Sequence, residues 1–243
     1  MGRVQKVDLF RDELVRGTLS SGSIFRRFGH NDDCSTAFET VWHGSNLYTY
    51  LTTAEQLHIS SDSASDDGDP VGAGARTLFV RGLDANYNYI EETVTLNGVT
   101  PVVTTGSFLR VHKAKVMSAG STGYNSGSIL LQNEAEDIDL GVVEVQTAET
   151  HGCIWTVPAG RTAFITSWRG SESSTKGGDV SLWMRTHSTG VWQYKRGVYI
   201  LDNIFSFEFS MPLKVSAKTD IEVRTKAILS GAKVSAFFKG WYE

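Results

Sequence analysis

Four carboxylates cluster within one serine-rich stretch of the sequence, and such a cluster could bind a metal. They are Asp62, Asp66, Asp67 and Asp69. Carboxylate oxygens suit Ca²⁺, but an EF-hand loop needs acids at alternate positions, glycine at the sixth and glutamate at the twelfth. No register that starts at Asp62 or Asp66 supplies this set. We therefore predict no metal site and interpret the four residues as a solvated surface loop that could contact other proteins.

The other residues with catalytic potential do not match a known motif. The six histidines are scattered without zinc-ligand spacing. Gly72–Gly74 lacks the third glycine of a dinucleotide fingerprint, and Glu91 and Glu92 would face opposite sides of one strand. The sequence has neither a Gly-x-Ser-x-Gly elbow nor a phosphate-binding P-loop. We predict no catalytic residue, no bound cofactor and no enzymatic activity.

The aromatic residues have two interpretations. They could form stacking platforms for sugars, or they could fill sandwich cores and subunit interfaces. Trp183 is the best candidate for an exposed contact, because Val180, Leu182 and Met184 define the opposite, apolar face of its expected strand. A carbohydrate-binding module for host attachment is therefore kept as an alternative function.

Both chain ends have features of an assembly subunit. The C-terminus ends on Trp241 and Tyr242 with no polar tail, so these residues must be buried in their own sheet or against a partner. The apolar spacing over Val7–Arg16 predicts a short amphipathic helix, with an extended arm docked on a neighbouring subunit as the alternative. Together these ends favour a homo-oligomer over a free monomer.

Turn signals predict antiparallel β-structure in the first half of the chain. Strands are expected at Thr77–Arg81 and Ile90–Leu96, joined by a polar turn at Asp84–Asn88. Asn97-Gly98 then follows and is typical of a type I′ hairpin turn, whose two central residues have positive φ. A change of phase in the next long strand predicts a β-bulge near His112-Lys113.

Alternation is clearer in the second half, where seven or eight strands are expected within about 100 residues, the pattern of a sandwich or jelly roll. One strand, for example, places Phe205, Phe207, Phe209 and Met211 on a single apolar face. The chain is therefore expected to be all-β.

Two antiparallel β-sandwich or jelly-roll domains in tandem are predicted from these patterns. The expected divisions are an N-terminal arm or short helix over 1–27, a first β-sandwich over 28–139 and a second, jelly-roll-like β-sandwich over 140–243. The polar, acidic stretch Asn133–Asp139 marks the boundary between the two halves.

Charge and composition restrict the possible partners and location. The net charge of −4 argues against a nucleic-acid-binding protein, which would carry a basic surface. The N-terminus lacks the apolar region of a signal peptide, and no apolar run is long enough for a membrane span. Cys34 and Cys153 are expected to be buried free thiols. We therefore expect folding in cytoplasm and no membrane partner.

Several segments resemble virion structural proteins of tailed bacteriophages, most closely those of marine and freshwater podoviruses and myoviruses. The resemblance extends roughly from Phe28 to Trp241. Besides the aspartate-rich loop, it is carried by Trp42–Tyr50, Ile59–Ser61, Gly74–Leu78, Gly82–Asp84, Glu92–Gly98, Asn125–Ile129, Val157–Ile165 and Lys218–Ile221.

This resemblance implies a non-enzymatic, oligomeric building block of a virion that is folded in the host cytoplasm. Its partners would be copies of itself and other capsid, neck, tail or fibre proteins. Two β-domains with long polar loops favour a neck, tail or fibre-anchoring position, and capsid decoration is the alternative. Contact residues are expected among Asp62, Asp66, Asp67, Asp69, Trp183, Trp241 and Tyr242.

Overall fold

The computed structural model describes Glu13, Arg16 and residues 22–243 of the chain. Residues 22–243 are all-β, and each strand pairing among them is antiparallel, as predicted. The expected helix or arm over 1–27 lies outside the described residues, except for Glu13, Arg16 and residues 22–27. No helix in the described part of the chain is long and apolar enough to cross a membrane.

Sixteen strands occur within residues 22–243. The first nine are β1 (Ser23–Cys34), β2 (Glu39–Thr40), β3 (Glu55–Ser61), β4 (Ala75–Leu83), β5 (Tyr89–Thr95), β6 (Val102–Phe108), β7 (Arg110–Ala119), β8 (Ile129–Gln132) and β9 (Asp139–Val143). The other seven are β10 (Ile154–Thr156), β11 (Ala163–Glu172), β12 (Gly178–Arg185), β13 (Trp192–Ile200), β14 (Asn203–Val215), β15 (Asp220–Ala227) and β16 (Ala232–Tyr242).

These strands form two sandwiches, and one is inserted into the other. The N-terminal sandwich packs the sheet β6-β3-β8-β9 against β5-β4-β7. The C-terminal sandwich packs β1-β16-β11-β14 against β10-β15-β12-β13, with β2 paired to β15. The chain therefore leaves the C-terminal sandwich after β2, forms the N-terminal sandwich with β3–β9, and returns to the C-terminal sandwich at β10.

This arrangement differs from the expected tandem order. β1 pairs along its length with β16, starting at Ser23 opposite Tyr242, so residues 28–40 belong to the C-terminal sandwich rather than to a domain over 28–139. At the other boundary, β9 pairs with β8 and belongs to the N-terminal sandwich. Alternation within a strand does not reveal which distant strand it will pair with, so the expected boundaries were misplaced.

The predicted β-bulge is confirmed. The register between β4 and β7 shifts between Val111 and Lys113, which leaves His112 as the extra residue. His112 is buried, and its Nε2 accepts a hydrogen bond from the backbone N–H of Thr156 at 3.1 Å. The bulge therefore directs a side chain of the N-terminal sandwich onto β10 of the other one.

The two predicted turns have different outcomes. The Asp84–Asn88 turn joins the paired strands β4 and β5, as expected, and is closed by a 2.9 Å hydrogen bond from Asp84 N–H to the Asn88 carbonyl. At Asn97-Gly98 the chain does reverse, with Gly98 at φ 56°. However, β5 then pairs with β4 whereas β6 pairs with β3, so the predicted hairpin is wrong: this turn connects two sheets.

Apolar side chains from both sheets fill the C-terminal sandwich. Phe25 stacks on Trp155 with ring centroids 4.0 Å apart, and Trp168 is fully buried. Three phenylalanines of β14 pack against this core as predicted, but Met211 is 82% exposed. The register of β14 against β11 shifts between Glu208 and Leu213, and this irregularity takes Met211 out of the alternation.

The two cysteines are buried and unbonded to each other, as predicted. Burial raises the pKa of both thiols, so neither is activated as a thiolate.

Gly29 tests whether β1 is part of the C-terminal sandwich. A Cβ at this position would overlap the carbonyl oxygen of Val41 and the backbone nitrogen of Cys153. Because backbone atoms cannot move aside cheaply, we expect Gly29→Ala to lower the free energy of unfolding by at least about 2 kcal/mol in urea denaturation. The control is Gly152→Ala, whose added Cβ would meet nothing closer than 3.4 Å. Equal stability of the two variants would contradict this packing.

Candidate functional site

Asp66 is a structural residue and does not lie on the loop surface. It is fully buried. Its Oδ1 accepts hydrogen bonds from the backbone N–H groups of Ala75 and Ser126, both at 2.7 Å. Its Oδ2 accepts bonds from Ser61 Oγ at 2.7 Å and Gly127 N–H at 2.8 Å. The prediction that Asp66 is solvated and makes contacts is therefore wrong, because the backbone folds around this carboxylate.

The other three aspartates remain accessible. Asp62 and Asp69 are exposed and Asp67 is half-buried. Asp62 accepts a hydrogen bond from Ser128 N–H at 2.9 Å, and Asp67 accepts one from Asp69 N–H at 2.9 Å. No group of three or more metal-ligating side chains is arranged to hold an ion in the described part of the chain. Local turn bonds thus account for part of this cluster, and a contact role for these three residues stays a prediction.

Trp183 does not form the exposed platform expected from the alternation. It is half-buried. Its ring meets Phe38 and Tyr194 edge-on at 5.7 and 5.3 Å, and the guanidinium of Arg224 lies 4.6 Å from its ring centroid. Its indole nitrogen donates to Ser181 Oγ at 3.0 Å. Neighbouring side chains therefore cover part of the ring that a sugar would stack on.

The aromatic C-terminus packs within its own sheet, where Trp241 and Tyr242 are half-buried. Trp241 and Tyr242 lie on β16, which pairs at these two residues with β1 on one side and with β11 on the other. Trp241 stacks on Phe164 at 5.1 Å, and Tyr242 lies 5.5 Å from the ring of Trp155. Contacts within the same chain thus account for part of the burial of these two rings, and a contact role for them stays a prediction.

Two unpaired strand edges are better candidates for an assembly surface. β14 is the edge of one sheet of the C-terminal sandwich and β13 is the edge of the other. An edge strand presents free N–H and C=O groups that can pair with another chain. Large exposed apolar side chains lie on and beside these strands at Val191, Tyr194, Tyr199, Leu201, Ile204 and Met211.

A buried ion-pair network joins the two sandwiches. Arg110 begins β7 and Asp220 begins β15, and both are almost fully buried. Arg110 Nε donates to Asp220 Oδ1 at 2.9 Å, and Arg185 Nη2 donates to Asp220 Oδ2 at 2.6 Å. Arg110 Nη1 also donates to the carbonyls of Leu51 and Leu109, both at 2.8 Å. Burial alone would lower the pKa of Arg110, but Asp220 more than offsets this and raises it.

Aromatic rings extend this junction into a cation–π stack. Tyr50 lies between the guanidinium groups of Arg110 and Arg185, at 5.0 and 4.7 Å from its ring centroid. Tyr87 lies 5.7 Å from Arg110 and 5.1 Å from the ammonium of Lys218. Tyr87 and Lys218 both have positive φ, at 65° and 61°. Such a conformation is costly for residues with a Cβ, and the contacts across the junction help to hold it.

Three histidines meet near the connections between the sandwiches. His43 is in ring contact with His151 at 5.4 Å and His30 at 6.0 Å, and its side chain is 3% exposed. Burial and these two neighbours lower the pKa of His43 to about 4. The carboxylate of Glu144 lies 3.5 Å from His43 Nε2, while burial raises the pKa of Glu144.

Other groups also face this cluster. Asp32 bonds His30 at 2.9 Å, and Glu149 lies 3.8 Å from His151. Burial lowers the pKa of His151, and it lowers that of the bulged His112 well below the ordinary value. The fold thus holds neutral imidazoles at the contact between its two parts.

The sequence reasoning did not single out Arg110, Asp220 or this histidine cluster. One local signal was present, because Arg110 lies directly between the apolar residues Leu109 and Val111. A charged residue at such a position needs a buried partner. Nothing local indicates that the partner is 110 residues away in the sequence.

Comparison with known proteins supplies no relative. No protein-family model matches this chain, and no curated protein does. The functional argument therefore depends on the geometry described above and on the segments that resemble virion proteins.

Asp66→Asn should destabilise the N-terminal sandwich. An asparagine would keep one acceptor oxygen and point a donor amide at N–H and O–H groups that now donate to Asp66. We expect the free energy of unfolding to fall by about 2–4 kcal/mol in urea denaturation. The control is Asp67→Asn, because Asp67 is half-buried and its carboxylate accepts a turn hydrogen bond from Asp69 N–H. This variant should change the free energy of unfolding by less than about 1 kcal/mol. Similar losses in both variants would contradict the role assigned to Asp66.

Acid should destabilise the fold through its buried histidines. Unfolded histidines have their ordinary pKa of about 6.5, whereas His43, His112 and His151 have lowered values in the fold. Protonation therefore favours the unfolded state. The stabilisation is complete above about pH 6.5 and is lost as the pH falls toward the folded values, by up to about 1.4 kcal/mol per pH unit for each histidine.

Urea denaturation between about pH 7 and pH 5 measures this loss, above the range in which most carboxylates titrate. His43→Gln should reduce the slope of unfolding free energy against pH below about 6.5 by one histidine's contribution. Ser45→Ala changes the same turn without removing a titratable group and should keep the parent slope. An unchanged slope in His43→Gln would show that His43 does not contribute.

Proposed function

We propose that this chain is a non-enzymatic structural component of a tailed-phage virion that assembles with copies of itself and with other virion proteins. The segments that resemble virion proteins support the class. The exposed edge strands β13 and β14 support the mode of assembly, and they are the observation that carries the proposal. The virion is accordingly the proposed location.

The chemistry of these edges suits a protein partner. β14 is 13 residues long and pairs on one side with β11. Its Ile204 is 74% exposed. Monomeric proteins usually blunt such edges with charges, proline or a covering loop, because an open apolar edge promotes association. Pro212 interrupts β14, so the segment before it, which includes Ile204, is the part best suited to strand addition.

A neck, tail or fibre-anchoring position is the preferred place for this component. Two sandwiches joined by a buried ion pair, with open strand edges at β13 and β14, suit a ring or collar. Capsid decoration is the alternative position. The carbohydrate-binding alternative is weakened because Phe38, Tyr194 and Arg224 cover Trp183.

Charges placed on the edge should dissociate the assembly. We expect Ile204→Glu combined with Met211→Glu to convert an oligomer into a smaller species in sedimentation velocity, because buried unpaired carboxylates are costly at an interface. Val71→Glu combined with Val99→Glu is the matched control. Both valines are exposed in turns of the N-terminal sandwich, at 66% and 59%, and their replacement should leave the mass unchanged.

Two outcomes would count against the proposal. A parent protein that sediments as a monomer at all concentrations would remove the self-assembly step. Absence of the protein from purified virions by mass spectrometry would remove the virion role. Cryo-electron microscopy of the particle separates the neck or tail position from capsid decoration.

A further inference from the structure

A cationic cleft opens between the two sandwiches, away from the exposed strand edges. Its volume is about 410 Å³, within the size range of small-ligand sites. The C-terminal sandwich contributes Arg26 and Arg27 from β1, and the N-terminal sandwich contributes Arg81 from β4 and Lys113 from β7. The aromatic wall consists of Tyr89 and Tyr242. No carboxylate lines this cleft within the described part of the chain.

The positive charges of the cleft are only partly compensated. Arg81 pairs with Glu91, and Lys113 pairs with Glu149, both at 2.5 Å. Arg26 and Arg27 form no ion pair with any described residue. Arg26 and Arg27 are neighbours on β1, so their side chains extend from opposite faces of the strand. Arg27 is the one that lies near Arg81, in a protein whose net charge is −4. Such local concentration of one sign attracts ions of the other sign into a cleft.

Arg27 is the most informative of the four. The residue is half-buried, but its Nε is inaccessible to solvent and has no hydrogen-bond partner within the described residues. One terminal nitrogen makes a long contact of 3.5 Å with the carbonyl of Arg26. Burial, together with nearby Arg81, lowers the pKa of Arg27 to about 10, so the group is still charged at neutral pH. A guanidinium nitrogen that is buried without an acceptor destabilises a fold unless an anion completes it.

We propose that this cleft binds a small multivalent oxyanion of phosphate chemistry, with Arg27 as its principal ligand. A guanidinium presents paired N–H donors in a plane that matches two oxygens of a phosphate group. Arg81 and Lys113 add charge from the opposite sandwich, so the bound anion bridges the two parts of the molecule. This inference does not depend on the proposed assembly role.

Titration of the full chain with inorganic phosphate tests the proposal. The thermal unfolding midpoint is measured at near-neutral pH over a series of phosphate concentrations, with chloride added to hold the ionic strength constant. A ligand that binds the folded state alone raises this midpoint in a concentration-dependent manner. We expect phosphate and pyrophosphate to raise it and acetate at the same ionic strength to have little effect.

Variants locate the binding. Arg27→Gln should weaken phosphate binding at least about tenfold in isothermal titration calorimetry, because it removes both the charge and the planar donors. Arg27→Lys should give an intermediate loss, since the charge remains without the fork. Arg81→Gln should also weaken binding, because it removes positive charge from the opposite side of the cleft. Arg161→Gln removes one charge from an exposed turn residue and is the matched control.

Each outcome decides the question. A phosphate effect that is lost in Arg27→Gln and retained in Arg161→Gln supports the site. If Arg27→Gln does not fold, Arg81→Gln and Arg27→Lys give the same comparison. An effect of phosphate no larger than that of acetate, or equal losses in Arg27→Lys and Arg161→Gln, would overturn the proposal. Binding of a single-stranded oligonucleotide without binding of phosphate would also overturn it.

Discussion

The buried carboxylate of Asp220 is the interaction on which the arrangement of the two sandwiches depends. It accepts hydrogen bonds from Arg110 of the N-terminal sandwich and from Arg185 and Thr156 of the C-terminal one. A buried charge is tolerated only where such partners are complete. Because the partners come from β7, β10 and β12, the network favours one relative placement of the two parts. Tyr50 and the bulged His112 then pack at the same junction.

The inserted topology explains why several groups of side chains meet at this junction. The N-terminal sandwich is connected to the C-terminal one by two chain crossings, one after β2 and one before β10. The same crossings gather His43 and His151. They also set β1 beside the N-terminal sandwich, which places Arg26 and Arg27 opposite Arg81 and so creates the cationic cleft. One topological feature therefore generates both the histidine cluster and the proposed anion site.

The two proposed functions belong to different regions of this molecule. The strand edges at β13 and β14 are open, apolar and part of the C-terminal sandwich alone. The cationic cleft is polar and needs both sandwiches. Assembly through the edges would leave the cleft accessible, so a bound oxyanion could stabilise each subunit without competing with its neighbours. This separation suits a subunit that must be rigid and must bind its neighbours through one side.

Local patterns in the sequence determined the β class, the Asp84–Asn88 hairpin and the bulge at His112, because alternation and turn chemistry act over a few residues. They could not determine that Asn97-Gly98 would link two sheets or that β1 would pair with β16, since pairing partners are chosen by packing across the whole chain. The same limit applies to individual side chains. Asp66 and Trp183 were expected at the surface from their type and phase, and the fold covers both. Arg27 and Asp220 acquire their roles only in the tertiary structure, where burial decides whether a charge has a partner.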